Sequence, residues 1–148
     1  MNVAVLQPPR RGRPSARRPA LVMIDHEADA LFDLAIKWQR AHPLSATLLL
    51  DELDRATTVA PAELPADVVS MRSHVVFVDK ATGERHSVRL VYPSEADMAQ
   101  QRVSILTPIG AALIGMRVGS AIDWPNRHGE RRQLEIVEVV QPVREAAA

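Results

Sequence analysis

VSILTPIGAALIGMRVGSAIDW, residues 103 to 124, decides the fold. Thr107 has the hydroxyl that caps a helix, and Pro108 suits the first helical position because its missing N–H would be unpaired there. Gly115 can take the left-handed backbone that ends the helix. The stretch therefore reads as a short buried strand, a capped helical turn, a glycine stop and a second strand. Ile109, Ala112, Leu113, Ile114 and Met116 make the turn apolar almost all round, so it should pack into a sheet.

Downstream, Pro125 to Gly129 is a turn and Arg131 to Val140 a last strand, with Leu134, Ile136 and Val140 on one face. Upstream, Ser73, Val75 and Phe77 alternate with His74, Val76 and Val78, the period of a half-buried strand. Lys80 to Glu84, with Gly83, forms a hairpin turn and Arg85 to Tyr92 the return strand. Pro93 and the SEAD run from Ser94 to Asp97 interrupt it with a loop or one helical turn. Five strands around one short helix predict an α+β unit over 71–142 with a mostly antiparallel sheet.

Farther back the period changes. Asp25 can cap a helix with Ala28, Leu31, Leu34 or Ala35, Trp38 and Ala41 at three- and four-residue spacing. His42 and Pro43 close it, since the residue before a proline avoids helical angles. Ser45 then caps a second helix running to about Thr58, with Leu48, Leu49, Leu50, Leu53 and Ala56 apolar. So short a turn predicts an antiparallel helical hairpin over 21–59, a short coiled coil of roughly 25 Å. Three consecutive leucines exceed one seam's needs, so the hairpin should lean on the globular unit or on a partner. Pro61 and Pro65 place a linker at 60–70.

Eighteen basic residues balance eighteen acidic ones, but residues 1–20 hold five arginines, four prolines and no acid, leaving 13 bases against 18 acids and a net of −5 on the body. Residues 1–20 read as a disordered basic leader, with nonspecific nucleic-acid contact as a minor expectation, and 143–148 as a frayed tail. With no cysteine there is neither a disulfide framework nor a thiolate site. No apolar run approaches the roughly 20 residues that span a bilayer, so no membrane partner is expected and the cytoplasm is the expected location.

Chemistry-bearing motifs are sparse. His26, His42, His74, His86 and His128 show no HExxH or other ligand spacing. There is no GxSxG, GxGxxG or Walker loop, and Gly110 and Gly115 form a GxxxxG followed by Met-Arg. Glu95 and Asp97 lie two apart in a loop, where a solvated or capping role is expected. No catalytic residue, metal or cofactor is predicted.

Residues 69 to 142 resemble the C-terminal, FKBP-like domain of the bacterial Gre transcript-cleavage factors, through VxFxD at Val75 to Asp79, YPSEAD at Tyr92 to Asp97 and VSILTPIGAALIGMRVGS at Val103 to Ser120. Residues 18 to 142 are more similar still to the Rnk-type regulators of nucleoside diphosphate kinase, a Gre-related branch with a shortened coiled coil. The residues that select it are RPALVMID at Arg18 to Asp25, DELDRA at Asp51 to Ala56, PAELPADVVSM at Pro61 to Met71 and LVYP at Leu90 to Pro93.

This resemblance implies binding to RNA polymerase at the coiled coil on the rim of its secondary channel, with nucleic acid met only indirectly through polymerase. The implied contact is the loop entering the short helix, here Ser104, Ile105, Leu106, Thr107 and Pro108. Leu106 stands where Gre factors often carry Asp or Asn, and Thr107 where they carry Ser, so a more apolar contact is implied. Gre factors hold a catalytic magnesium ion with two acidic residues at the hairpin tip, consistent with two-metal hydrolysis. The tip here, with His42, Pro43, Leu44 and Ser45, has no carboxylate, which predicts no stimulation of transcript cleavage. Two alternatives are direct binding to nucleoside diphosphate kinase and peptidyl-prolyl isomerisation. The latter would rest on Phe77, Tyr92 and Trp124 and on fold analogy alone.

Overall fold

The computed structural model describes residues 20–125 and 130–143. Residues 1–19 of the basic leader expected over 1–20, 126–129 of the expected turn and 144–148 of the expected tail lie outside the described residues, and Trp124 and Pro125 are described as backbone only.

Strand β1 (Val22–Ile24) leads directly into helix α1 (Asp25–Lys37). Asp25 is the first helical residue, and Ile24 occupies the cap position without a side-chain bond. The Asp25 carboxylate instead accepts from the N–H of His26 at 2.6 Å, a favourable charge at the positive end of the helix. The helix stops at Lys37, short of the expected Ala41. Helix α2 (Pro43–Arg55) then begins two residues before the Ser45 expected to cap it, with His42 as the N-cap. Proline at the first helical position sets this start, because its fixed φ suits that position and it lacks only an N–H that would be unpaired there.

Helix α2 also ends early. Residues expected to be helical to Thr58 form strand β2 (Thr57–Val59), which pairs in parallel with β1. Thr57 and Thr58 are β-branched and prefer extended backbone, and the β1 edge gives them partners. The Val22↔Thr57 register returns the chain to the point it left, with α1 and α2 packed on each other in between.

Segment 64–71 is built into the fold. Val68 and Val69 are fully buried, Val69 N–H donates to the Met116 carbonyl at 2.8 Å, and Gly115 N–H donates back to the Val69 carbonyl at 2.9 Å. Strands β3 (His74–Asp79), β4 (Arg85–Val91), β5 (Arg102–Ser104), β6 (Ala121–Pro125) and β7 (Arg131–Val140) form one sheet in the order β5-β4-β3-β7-β6. Only the β4–β5 pairing is parallel; its crossover contains two 3-10 turns, Pro93–Glu95 and Met98–Gln100.

Helix α3 (Pro108–Leu113) is capped as its sequence predicts, and Gly115 has φ +78°. The inward side chains Val75, Phe77, Leu90, Ile122, Leu134 and Ile136 share one core with Leu113 and Ile114 and with Leu31, Ala35, Ala46 and Leu49 of the two helices. The helices therefore lean on α3 and the sheet, as their excess of leucine requires. Val140 corrects the expected face of β7: it is 54% exposed, and Val139 packs on the core in its place. A bulge opposite Val76 and Phe77 passes over Val137 and inverts the alternation beyond it.

Candidate functional site

The corner between β5 and α3 holds the five residues singled out in the sequence. Ser104 ends β5, and its hydroxyl oxygen accepts from the Leu106 N–H at 2.9 Å. Thr107 Oγ1 donates to the Ser104 carbonyl at 2.7 Å and accepts from the Gly110 N–H at 3.1 Å. One hydroxyl thus closes the turn and caps the helix, satisfying a donor otherwise left unpaired at a helix start. Gly110 makes the corner tight: a Cβ there would fall 2.9 Å from Ile105 Cα and closer still to the Ser104 carbonyl oxygen.

Burial divides the five residues. Ile105 is fully buried and Leu106 is 4% exposed, both within the main core, while Ser104, Thr107 and Pro108 are partly accessible. The corner therefore presents a hydroxyl and a proline ring to solvent, while Leu106 fixes the corner from below. That division is not legible in periodicity, because the turn faces the helices on one side and solvent on the other.

His42, Pro43 and Leu44, between the two helices and at the start of the second, are exposed, and Ser45 is buried. Trp38 and His42 lie with ring centroids 5.8 Å apart, and Lys37 Nζ stands 5.9 Å from the Trp38 ring centre. The sequence from Lys37 to Ala46 contains no carboxylate. Each helix is 13 residues, roughly 20 Å, shorter than the expected 25 Å.

The remaining candidates are dispersed. Phe77 is in the core and stacks on His86 at 5.2 Å, while Tyr92 lies under the Arg72 guanidinium at 5.2 Å. Burial pushes the Tyr92 phenol above its usual range. Glu95 binds Arg72 at 2.7 Å, which holds its carboxylate below the usual range and raises the guanidinium in turn. Asp97 caps the second 3-10 turn through the Ala99 N–H at 3.0 Å. Among the described residues no group of three His, Asp or Glu side chains is placed to hold a metal ion, and no helix is long and apolar enough to cross a membrane.

Comparison with known proteins places this geometry. The family model for the transcription elongation factor GreA/GreB C-terminal domain matches residues 64–141. The chain is 37% identical over 122 residues to the regulator of nucleoside diphosphate kinase of Escherichia coli K12, covering 82% of this chain and 90% of that protein. It is 34% identical over 144 residues to the transcription elongation factor GreA of Mesorhizobium japonicum, covering 92% and 91%. Among solved structures, a prokaryotic transcription elongation factor GreA/GreB from Nitrosomonas europaea superposes with a TM-score of 0.67 at 35% identity, covering 83% of this chain and 99% of that one. The relatives are named as regulators or elongation factors.

Proposed function

The chain belongs to the GreA/GreB family of transcription elongation factors, and from that premise we propose that it is a non-enzymatic regulator that binds RNA polymerase at the rim of the secondary channel, as a Rnk-like protein with an FKBP-like domain and a shortened helical hairpin. The observation that carries this reading is the β5–α3 corner. Thr107 and Pro108 stand at its surface on a backbone held by two hydrogen bonds and the close approach of Gly110. A rigid corner loses little freedom on docking, which favours its use as a contact.

The same protein does not stimulate transcript cleavage. Cleavage through a second metal ion needs carboxylates at the reaching end, and Lys37 to Ala46 offers none. The two helices, at roughly 20 Å, are a docking element and a plug for the channel mouth. Phe77 in the core and Tyr92 beneath Arg72 do not converge on a pocket, which weighs against prolyl isomerisation.

A second reading, direct binding to nucleoside diphosphate kinase, is favoured by the name of the relative from Escherichia coli. Under the leading reading the effect on that kinase is indirect. Co-purification with the kinase in polymerase-free extract at physiological salt separates the two: retention there supports direct contact, and loss supports action through transcription.

A further inference from the structure

One face of the five-stranded sheet packs on α3 and the helical pair, and the other carries a charge pattern that the proposed polymerase contact does not use. On that outer face the acids Glu135 and Glu138 stand on β7, in register with Val78 and Val76 of β3. Across β3 the charge reverses. His74 is paired with Arg89, and Arg89 with Arg102, so a row of basic groups crosses β3, β4 and β5. Neighbouring strands are about 5 Å apart, so Arg89 and Arg102 are direct neighbours.

Like charges placed directly opposite each other destabilise a sheet unless something compensates them. Two acids stand near the pair: Asp97, bridged backbone to backbone with Arg102, whose carboxylate accepts from the Ala99 N–H, and Glu95, already bound by Arg72 through three hydrogen bonds of 2.7–3.2 Å, although Arg102 contributes to holding its carboxylate ionised. Among the described residues, neither Arg89 nor Arg102 has an ion-pair partner within 4 Å.

The surface is concave at this point. A hollow of about 230 Å³ is lined by His74, Ser87, Arg89, Gln100, Gln101 and Arg102, and an adjoining one of about 210 Å³ by Arg72, Arg89, Glu95 and Arg102. Both are floored by the same two arginines. Among the described residues two that are not glycine have left-handed backbone, Arg72 with φ 67° and Gln101 with φ 59°, and each lines one hollow. Strand β4 holds both in place: the Arg72 N–H donates to the Leu90 carbonyl at 2.6 Å, and the Arg89 N–H to the Gln101 carbonyl at 2.8 Å. Backbone held in sparsely populated regions by its surroundings clusters at ligand clamps.

We propose that this double hollow is a binding site for a diphosphate group, with Arg89 and Arg102 as its paired anion clamp. Two adjacent guanidinium forks match the oxygens of linked phosphoryl groups bidentately. Gln100 and Gln101, with the hydrogen-bonded pair His74 and Ser87, add polar groups beside the clamp, suited to the sugar or base of a nucleotide. A single-stranded nucleic acid is disfavoured, because such sites stack bases on aromatic faces. The aromatic ring beside the hollows, Tyr92, is covered by Arg72.

The test is titration of the full chain with inorganic pyrophosphate, followed by backbone amide chemical shifts, with a nucleoside diphosphate, the unphosphorylated nucleoside, a short polyglutamate peptide and a single-stranded oligoribonucleotide as parallel probes. Saturable pyrophosphate binding is expected, with shifts confined to residues 72–74, 87–89 and 100–102. Arg89→Gln and Arg102→Gln should each weaken it about tenfold or more, while Arg85→Gln, farther along β4, should leave it within twofold. A nucleoside diphosphate that binds more tightly and moves Gln100 and Gln101 identifies a nucleotide as the source of the diphosphate. Equal binding identifies free pyrophosphate. The site is overturned by the absence of saturation at millimolar pyrophosphate, by indifference to both arginine substitutions in variants that keep the wild-type circular dichroism, or by polyglutamate or oligoribonucleotide binding there in preference to pyrophosphate.

Discussion

Gly110 lies against the carbonyl of Ser104 so closely that no Cβ fits between them. This contact seats the first turn of α3 on the end of β5, so glycine at 110 is required by space and not by backbone angle. Gly110→Ala must push the helix off the strand, costing about 1–3 kcal/mol as other overpacking changes do. Thermal or urea unfolding measures it, and an unchanged midpoint would contradict the seating described.

Thr107 performs two bonds with one hydroxyl, so its loss should exceed that of a simple surface contact. Thr107→Val keeps the shape and removes both bonds, with an expected loss of about 1–2 kcal/mol. Thr107→Ser should recover most of it. Equal destabilisation by Val and Ser would assign the effect to the methyl group's packing instead.

A continuous core joins the helical pair to the sheet, through Leu31, Ala35, Ala46 and Leu49 on one side and Val75, Leu90 and Ile136 on the other. The Met71 N–H also donates to the Glu27 carboxylate at 3.1 Å, a bond spanning 44 residues of chain. The helices and the sheet should unfold in one transition. Leu49→Ala, a fully buried position, is expected to cost about 2–5 kcal/mol and to lower helical and sheet signals together. Separate transitions would show two independent units.

The Arg72–Glu95 pair sets an acid-range dependence. The Arg72 hydrogen bond holds the folded carboxylate of Glu95 below its usual value. Its contribution is therefore present above the ordinary carboxylate range, about pH 4.3, and is lost as pH falls through the lower folded value. The pair is partly exposed, so the effect is small. Glu95→Gln should flatten this part of the acid unfolding curve without altering stability at alkaline pH relative to neutral. An unchanged acid curve would remove the pair from the account.

The particular residues explain what could be read from the chain. Thr107, Pro108 and Gly115 announce α3 because capping and positive φ are local properties, legible without the fold. Start signals compete locally too, and at Pro43 the proline won over the serine two residues later. The strand at Thr57–Val59 and the inversion at Val139 depend on partners distant in sequence, β1 and the bulge beside Val76, so helical spacing ran on too far and alternation gave Val140. At the site, the resemblance implies Leu106 as a contact, and the fold buries it in the core. Arg89 and Arg102 sit in separate short strands, and only the parallel β4–β5 register makes them neighbours. Their signal in the sequence was limited to arginine at 85 and 89, four residues apart on one strand face.

Because Leu106 and Ile105 belong to the core, substitutions there would report on folding, and the partly accessible Pro108 is the residue that can test docking. The most direct measurement is titration of the labelled chain with core RNA polymerase, followed by competition with a Gre factor. The account predicts saturable binding that the Gre factor reverses, and that Pro108→Ala weakens severalfold while the variant keeps its fold. No transcript cleavage should accompany binding. Failure to bind at micromolar polymerase, or binding that a Gre factor leaves untouched, would contradict the placement at the channel rim.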